Sequence, residues 1–319
     1  MKRALSFCIA LALSGPLLAA QSEQGTRPPK KVDCDRQSLQ NEIDKLIKSR
    51  TNSLAVSGDC YEYIVIAGHV DLTLIGSGSI TGPGADFEDN PTVLVKEGSK
   101  VRLEGLTLVD GSSGLSCTER SHCTLVDVTV RGGTNGVEAQ DQSGLDILGA
   151  SEILDSREAG GWGIGVFGAS AVNVRPASFS DFEGGEQGTL VSGHGVGVTV
   201  LDGSFFRSDN ADIVNNQFGV VAQRNATIKV ISNTDASSGE RIGQVSGNAA
   251  VGVVVTRGST GQVVTTIADN GGTGVLIGPL SFALVFSEFS NNGAGNVVCD
   301  HPTAVSQDDQ GPGGSTTCP

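Results

Sequence analysis

Short apolar stretches recur along the chain, each opened by a glycine: GLSC from Gly114, GVEA from Gly136, GIGV from Gly163, GTLV from Gly188, GVVA from Gly219, GVVV from Gly252, GVLI from Gly274 and GNVV from Gly295. The steps between them are 22, 27, 25, 31, 33, 22 and 21 residues. A unit this small cannot bury its apolar side alone and must stack on copies of itself, so the period marks a solenoid. Some way after each glycine comes a second alternating segment, as in CTLVDVTV, LDILGASEI, VNVRPASF and ATIKVI. Apolar residues at every second position predict strands with one face turned inward, and no unit carries helical periodicity. The predicted fold is all-β, a right-handed parallel β-helix solenoid. Its coils would stack about 4.8 Å apart, so that about nine of them make a rod of about 40 Å.

Two further patterns fit stacked coils. Asn215, Asn248, Asn270 and Asn291 each stand four residues before a coil-opening glycine, which would align them in one column where amides bond from coil to coil. Before the first coil, SLQNEIDKLIKSR (Ser38 to Arg50) puts Leu39, Ile43, Leu46 and Ile47 on one helical face, with Ser38 or Asp35 as N-cap. This predicts an amphipathic helix capping the N-terminal end. The expected organisation is a signal peptide over 1–20, an N-terminal segment with the capping helix over 21–50, the β-helix over 51–299 and a polar tail over 300–319.

The helix and the block AVSGDCYEYIVIAGHVDLTLIGSGSITGPG that follows it (a V-x-G-x-C strand, then an L-x-L-x-G strand) resemble the N-terminal end of the pectate-lyase-like β-helix superfamily. The likeness is one of architecture and covers nearly all of the chain after the signal segment. It implies the fold. It does not select an activity, because that superfamily holds lyases, hydrolases, phage tailspikes and exported proteins without known activity.

Lys2 and Arg3, the apolar run after them and Ala19-Ala20 read as a secretory signal. Without Lys2 and Arg3, 19 basic residues face 35 acidic ones, a net charge of −16. Such a chain attracts neither nucleic acid nor an anionic membrane. No segment is apolar for long enough to span a bilayer. Six cysteines follow the signal, and an exported context favours disulfides over metal ligation. Their clustering suggests Cys34–Cys60, Cys117–Cys123 and Cys299–Cys318. Aromatic residues are 4% of the chain, fewer than a dedicated sugar reader normally carries.

His194, in SGHGVGVTV, is the catalytic candidate, because Gly-His-Gly before alternating valines resembles the active-site segment of polygalacturonases. That chemistry needs several carboxylates converging on one bond. The acidic NTD motif, Asn233-Thr234-Asp235, comes after His194 rather than before it, and no DD precedes it. With Gly188 opening the coil, His194 falls in the turn after a strand. With Gly195 opening it, His194 stands just before a strand. The second-strand column Arg102, Thr124, Asp146, Asn173, Thr199 and Lys229 is polar but spreads its charges.

Coils of extra length place Arg131, Arg157, Glu158, Trp162, Asp181, Glu183, Glu186 and Arg207 in or beside turns expected to share one flank, the preferred ligand-binding region. Calcium is the one cation the acidic turns would suit, at Asp86, Glu88 and Asp89 or at Asp209 and Asp212, with no diagnostic spacing. No cofactor is called for. The expectation is an exported, non-catalytic protein of the envelope or extracellular space, contacting a polysaccharide or another surface component. A divergent uronate lyase or glycoside hydrolase is the alternative, and oligomeric state is left open.

Overall fold

The computed structural model describes residues 28–83, 90–156, 160–177, 188–234 and 242–302, together with a strand at 305–308. The alternating segments form strands in three parallel sheets, which the chain visits in fixed order once per coil. Sheet A has twelve strands, from Lys30–Asp33 to Val305–Asp308. Sheet B has ten, from Asp59–Tyr61 to Glu288–Ser290. Sheet C has ten, from Ile64–Ala67 to Val297–Cys299. This is a parallel β-helix.

Strand parity decides what lies inside. Val93, Leu115, Val137, Ile164, Val198, Val220, Val253, Val275 and Val297 stack in register on sheet C, none more than 2% exposed. Parallel columns from sheets A and B complete one continuous core, with Phe206 its largest fully buried side chain.

The glycine repeat is the second inward column, and space explains it. Apart from Gly188 and Gly295, each repeat glycine follows the B-to-C corner and faces the interior, where a Cβ would collide. At Gly219 it would lie 2.7 Å from Val245 Cγ1 and 3.0 Å from Asn248 Nδ2. Gly197 is equally crowded, by Ile213 and Asn216. Gly197, not Gly188, is therefore the member between Gly163 and Gly219, as the pairing of Val198 with Ile164 and Val220 confirms. Gly188 precedes a sheet B strand, Leu190–Ser192. The coil expected to open at Gly188 is in fact the end of a longer one.

The asparagine column exists, one residue later than expected at two of its four positions. Asn216, Asn248, Asn270 and Asn292 point inward, and the backbone N–H of each of the first three donates to Oδ1 of the next at 3.1–3.3 Å. Asn215 and Asn291 are the preceding turn residues, with φ of 57° and 54°. Asparagine tolerates that left-handed geometry better than most residues. A serine ladder lines the C-to-A corner: the N–H groups of Ser99, Ser121, Ser143 and Ser170 donate to the hydroxyls of Ser121, Ser143, Ser170 and Ser204 at 3.1–3.2 Å.

The capping helix is shorter than its apolar face implied, spanning Leu39–Asp44. Ser38 is its N-cap, with Oγ accepting from Asn41 N–H at 3.1 Å. Leu39 and Ile43 are buried, but Ile47 is 53% exposed. Asn52 explains the early stop, since its amide donates to the carbonyls of Ile47 and Arg50 and holds the exit turn. Gln40 finishes the cap. Its side-chain amide donates to Val65 O at 3.1 Å and accepts from Val65 N–H at 2.7 Å, taking the place of a neighbouring strand at the edge of sheet C.

Two disulfides form as expected. Cys34–Cys60 ties the first turn to sheet B, and Cys117–Cys123 staples the C-to-A corner. Cys299 is also disulfide-bonded, while Cys318 lies outside the described residues. No helix among the described residues is long and apolar enough to cross a membrane.

Candidate functional site

The outer face of sheet A gathers the polar chemistry. Its central outward row runs Thr73, Arg102, Thr124, Asp146, Asn173, Arg207, Lys229 and Gln262, one residue per coil. Arg207 holds the place that the sequence reading assigned to Thr199. Thr199 belongs to sheet C, and the error follows from the misplaced coil.

Asp146 is the centre of this row. Its Oδ2 meets His122 Nε2 at 3.2 Å and Arg175 Nη2 at 3.8 Å, and its Oδ1 accepts from Asn173 Nδ2 at 3.1 Å. These partners come from neighbouring strands, His122–Val126 on one side and Ala171–Arg175 on the other. The His122 hydrogen bond holds the Asp146 carboxyl below its usual proton affinity against partial burial, with Asn173 and the charges of His122 and Arg175 assisting. Arg102 and Arg207 each bond the carboxylate two residues on, Glu104 and Asp209, at 2.9 Å. From Lys100 to Lys229 the face presents Lys100, Arg102, Arg175, Arg207 and Lys229, with His122 beside them, against Glu104, Asp146 and Asp209. A chain of net charge −14 thus has one face with an excess of cations.

His194 is a member of the ladder. It is 4% exposed, its N–H donates to Asn216 Oδ1 at 3.0 Å, and its Nε2 lies 3.0 Å from Ile153 O. The amides of Asn216, Asn248, Asn270 and Asn292 make the same contact with Val191, Ile213, Val245 and Ile267. All five carbonyls are the central residues of sheet B strands one coil back. His194 therefore precedes a strand, Val196–Val200, and faces the core. Burial pushes its proton affinity down.

The expected binding flank divides among the sheets. Arg131 ends a sheet B strand, Trp162 opens a sheet C strand and Arg207 lies mid-strand in sheet A. Arg157, Glu158, Asp181, Glu183 and Glu186 lie outside the described residues. Trp162 covers a corner: its indole packs over Gly165 and meets the Phe167 ring edge-on, with centroids 5.3 Å apart. Next to Gly165 on the same sheet stands Glu138, whose carboxyl is pushed up by burial despite hydrogen bonds from Ser116, Gln140 and Ser113.

Among the described residues no three His, Cys, Asp or Glu side chains are placed to hold a metal. Asp209 and Asp212 stand on different sheets, with Asp209 engaged by Arg207. Asp86, Glu88 and Asp89 lie outside the described residues.

What the sequence reading missed is the His122–Asp146–Arg175 grouping. The polar column already set Thr124, Asp146 and Asn173 side by side; His122 and Arg175 stand two residues to either side of it along their strands and reach Asp146 with their side chains. The repeat His122, Asp146, Asn173 at 24 and 27 residues was the available signal. Comparisons of the chain with protein-family models, with curated proteins and with solved structures return no match.

Proposed function

We propose that this chain is an exported, non-catalytic β-helix protein of the pectate-lyase-like superfamily that binds an extended anionic polysaccharide along sheet A. The observation that carries the reading is the His122–Asp146–Asn173 network, with Arg175 bonded to it and Arg207 and Lys229 in register with Asn173 beside it. Coils rise about 4.8 Å each, close to the length of one sugar unit, so one polar row can meet successive sugars of a chain lying along the rod. Local charge supports an anionic ligand. Beyond about 8 Å the acidic remainder of the surface is screened at physiological salt, whereas the cations of sheet A lie within that distance.

Binding without turnover is supported by where the perturbed carboxyls stand. Glycoside hydrolysis pairs an acid of raised proton affinity with an ionised partner about 5–9.5 Å away across one bond. Among the described residues the raised carboxyl, Glu138, is on sheet C, and the lowered ones, Asp146 and Glu42, are on sheet A and in the capping helix. A lyase reading draws on Arg175 facing Asp146, and one experiment separates the two. The purified protein is titrated with a panel of acidic and neutral polysaccharides, with and without calcium, while unsaturated products and new reducing ends are followed. Binding of an acidic glycan that weakens about tenfold in Arg207→Ala, with no product, supports the proposal. Product formation abolished by Asp146→Asn establishes the enzyme instead.

A further inference from the structure

His122 uses only one of its two ring nitrogens within the protein. Nε2 lies 3.2 Å from Asp146 Oδ2. An ionised carboxylate accepts and cannot donate, so Nε2 carries the hydrogen of the neutral ring and Nδ1 keeps a bare lone pair. Nδ1 has no hydrogen-bond partner among the described residues, and the side chain is 46% exposed.

Gly144 makes this placement possible. The ring crosses from its own strand, His122–Val126, to the strand Gly144–Leu148, and Nδ1 lies 2.5 Å from where a Cβ of Gly144 would stand. The outward row that holds His122 and Gly144 continues in register with Ala171 and Phe205. Two successive coils of this row therefore carry nothing larger than a methyl group before Phe205 stands on the next. The step from Gly144 to Phe205 is about 10 Å, room for one sugar ring beside Asp146 and Asn173. Around the imidazole, Lys100 is in register on one neighbouring strand with Arg102 two residues on, and Asp146 is on the other with Arg175 beyond it. Arg120 and Asp141 belong to the turns that precede the two strands.

We propose that His122 is a proton-linked anchor for an anionic sugar: one sugar unit lies over Gly144 and Ala171, its carboxylate or sulfate accepts from Nδ1, and the imidazole takes up a proton as the unit binds. The proposal rests on the reading of sheet A as the glycan-binding face and says how that face is regulated. A carboxylate or sulfate brings no hydrogen of its own, so its contact with Nδ1 requires the imidazolium. The ring then donates to two anions, Asp146 through Nε2 and the ligand through Nδ1. The proton comes from solvent and returns there on release, and no covalent bond of the ligand changes. A hydroxyl of a neutral sugar would instead donate to the bare Nδ1 and move no proton. An ordinary imidazole is mostly neutral at about pH 7.5. The complex thus holds more protons than the free protein, and its affinity rises as pH falls.

Isothermal titration calorimetry of the full chain tests this, with polygalacturonate and dextran sulfate as probes, each in two buffers of different ionisation enthalpy. Binding at about pH 7.5 is expected to take up a fraction of one proton, and affinity to rise about fivefold by about pH 5.5, where both probes stay charged. His122→Gln is expected to bind with no uptake and a flat pH profile. Gly144→Ala keeps every charge but sets a methyl group in the place of the ring, and is expected to abolish the uptake as well. The probe that gives the uptake identifies the anion as carboxylate or sulfate. If neither probe binds, this proposal and the reading of sheet A fall together. If binding weakens in Arg207→Ala yet carries no proton uptake, or carries the same uptake in His122→Gln, the reading of sheet A stands and this proposal is overturned.

Discussion

His194 shows how one residue can carry the look of a catalyst and do the work of a strut. Its ring occupies the place of an asparagine amide at the N-terminal end of a ladder, with Nε2 on the Ile153 carbonyl and its backbone N–H on Asn216. Burial favours the uncharged ring there. Burial lowers the proton affinity of His194, and of His69, which is 1% exposed. The unfolded chain binds the proton more readily than the native one, so this contribution to stability is present above the free histidine value of about 6.5 and is lost as pH falls below it. His194→Ala removes the ring's hydrogen bond to the Ile153 carbonyl and leaves a space in the core, and is expected to cost about 1–3 kcal/mol. His194→Asn extends the ladder with its own residue type and is expected to cost less than about 1 kcal/mol while reducing the loss of stability between about pH 6.5 and 5. Urea denaturation at several pH values checks both. A histidine variant that loses a measured activity while keeping wild-type stability would return His194 to chemistry.

At the scale of the strand and turn, the fold rests on crowding at one corner. The inward glycines face the ladder amide of the next coil and a sheet B side chain together, so a methyl group has nowhere to go. Gly219→Ala, with Val245 Cγ1 at 2.7 Å and Asn248 Nδ2 at 3.0 Å from the new Cβ, is expected to cost about 1–3 kcal/mol or more by overpacking. Gly160→Ala, where no atom lies within 4 Å, is the control and should change stability by less than about 0.5 kcal/mol. Thermal melts of the two variants side by side measure the difference. The same crowding explains what was legible in the sequence. Strand parity was plain, because Val101 and Leu103 stand between Lys100, Arg102 and Glu104, and Val137 between Gly136 and Glu138, at period two. Coil length was not, because GTLV at Gly188 and GVTV at Gly197 look alike as strings. They differ only in what an added Cβ would meet: Asn210 O for the first, Ile213 and Asn216 for the second. Once that coil was misplaced, Thr199 displaced Arg207 from the sheet A row. The asparagine ladder was visible as a repeat but blurred by one residue, because Asn215 and Asn216 are adjacent and only the backbone conformation tells them apart. The serine ladder left a signal in the serines that close successive turns, at Ser99, Ser121, Ser143, Ser170 and Ser204.

Over the whole molecule, a solenoid makes stability local, since each coil touches only its two neighbours. The consequence is uneven resistance along the rod. The N-terminal end is held by three devices that act together: the Leu39–Asp44 helix, the Gln40 amide on Val65 and the Cys34–Cys60 bridge. Glu62 draws them together, accepting from Ser38 Oγ and from the Leu39 and Gln40 N–H groups at the start of the helix. The two observed bridges do different things. Cys34–Cys60 closes a separation of 26 residues and Cys117–Cys123 only 6. By chain entropy these correspond to about 3.5 and about 2 kcal/mol. Replacing Cys34 and Cys60 by serine should therefore cost more than replacing Cys117 and Cys123. The two losses should also be seen in different places. Without the Cys34–Cys60 bridge, amide exchange should accelerate in the first coils, at Leu54, Val56, Ile64 and Ile66, while Val198, Val220 and Val253 keep their protection. Without the Cys117–Cys123 bridge, a smaller and more central opening is expected at Val95, Leu115 and Leu125. Exchange that accelerates uniformly in either variant would mean that the rod unfolds as one cooperative unit. In that case the end devices would protect every coil equally, including the sheet A row around Asp146.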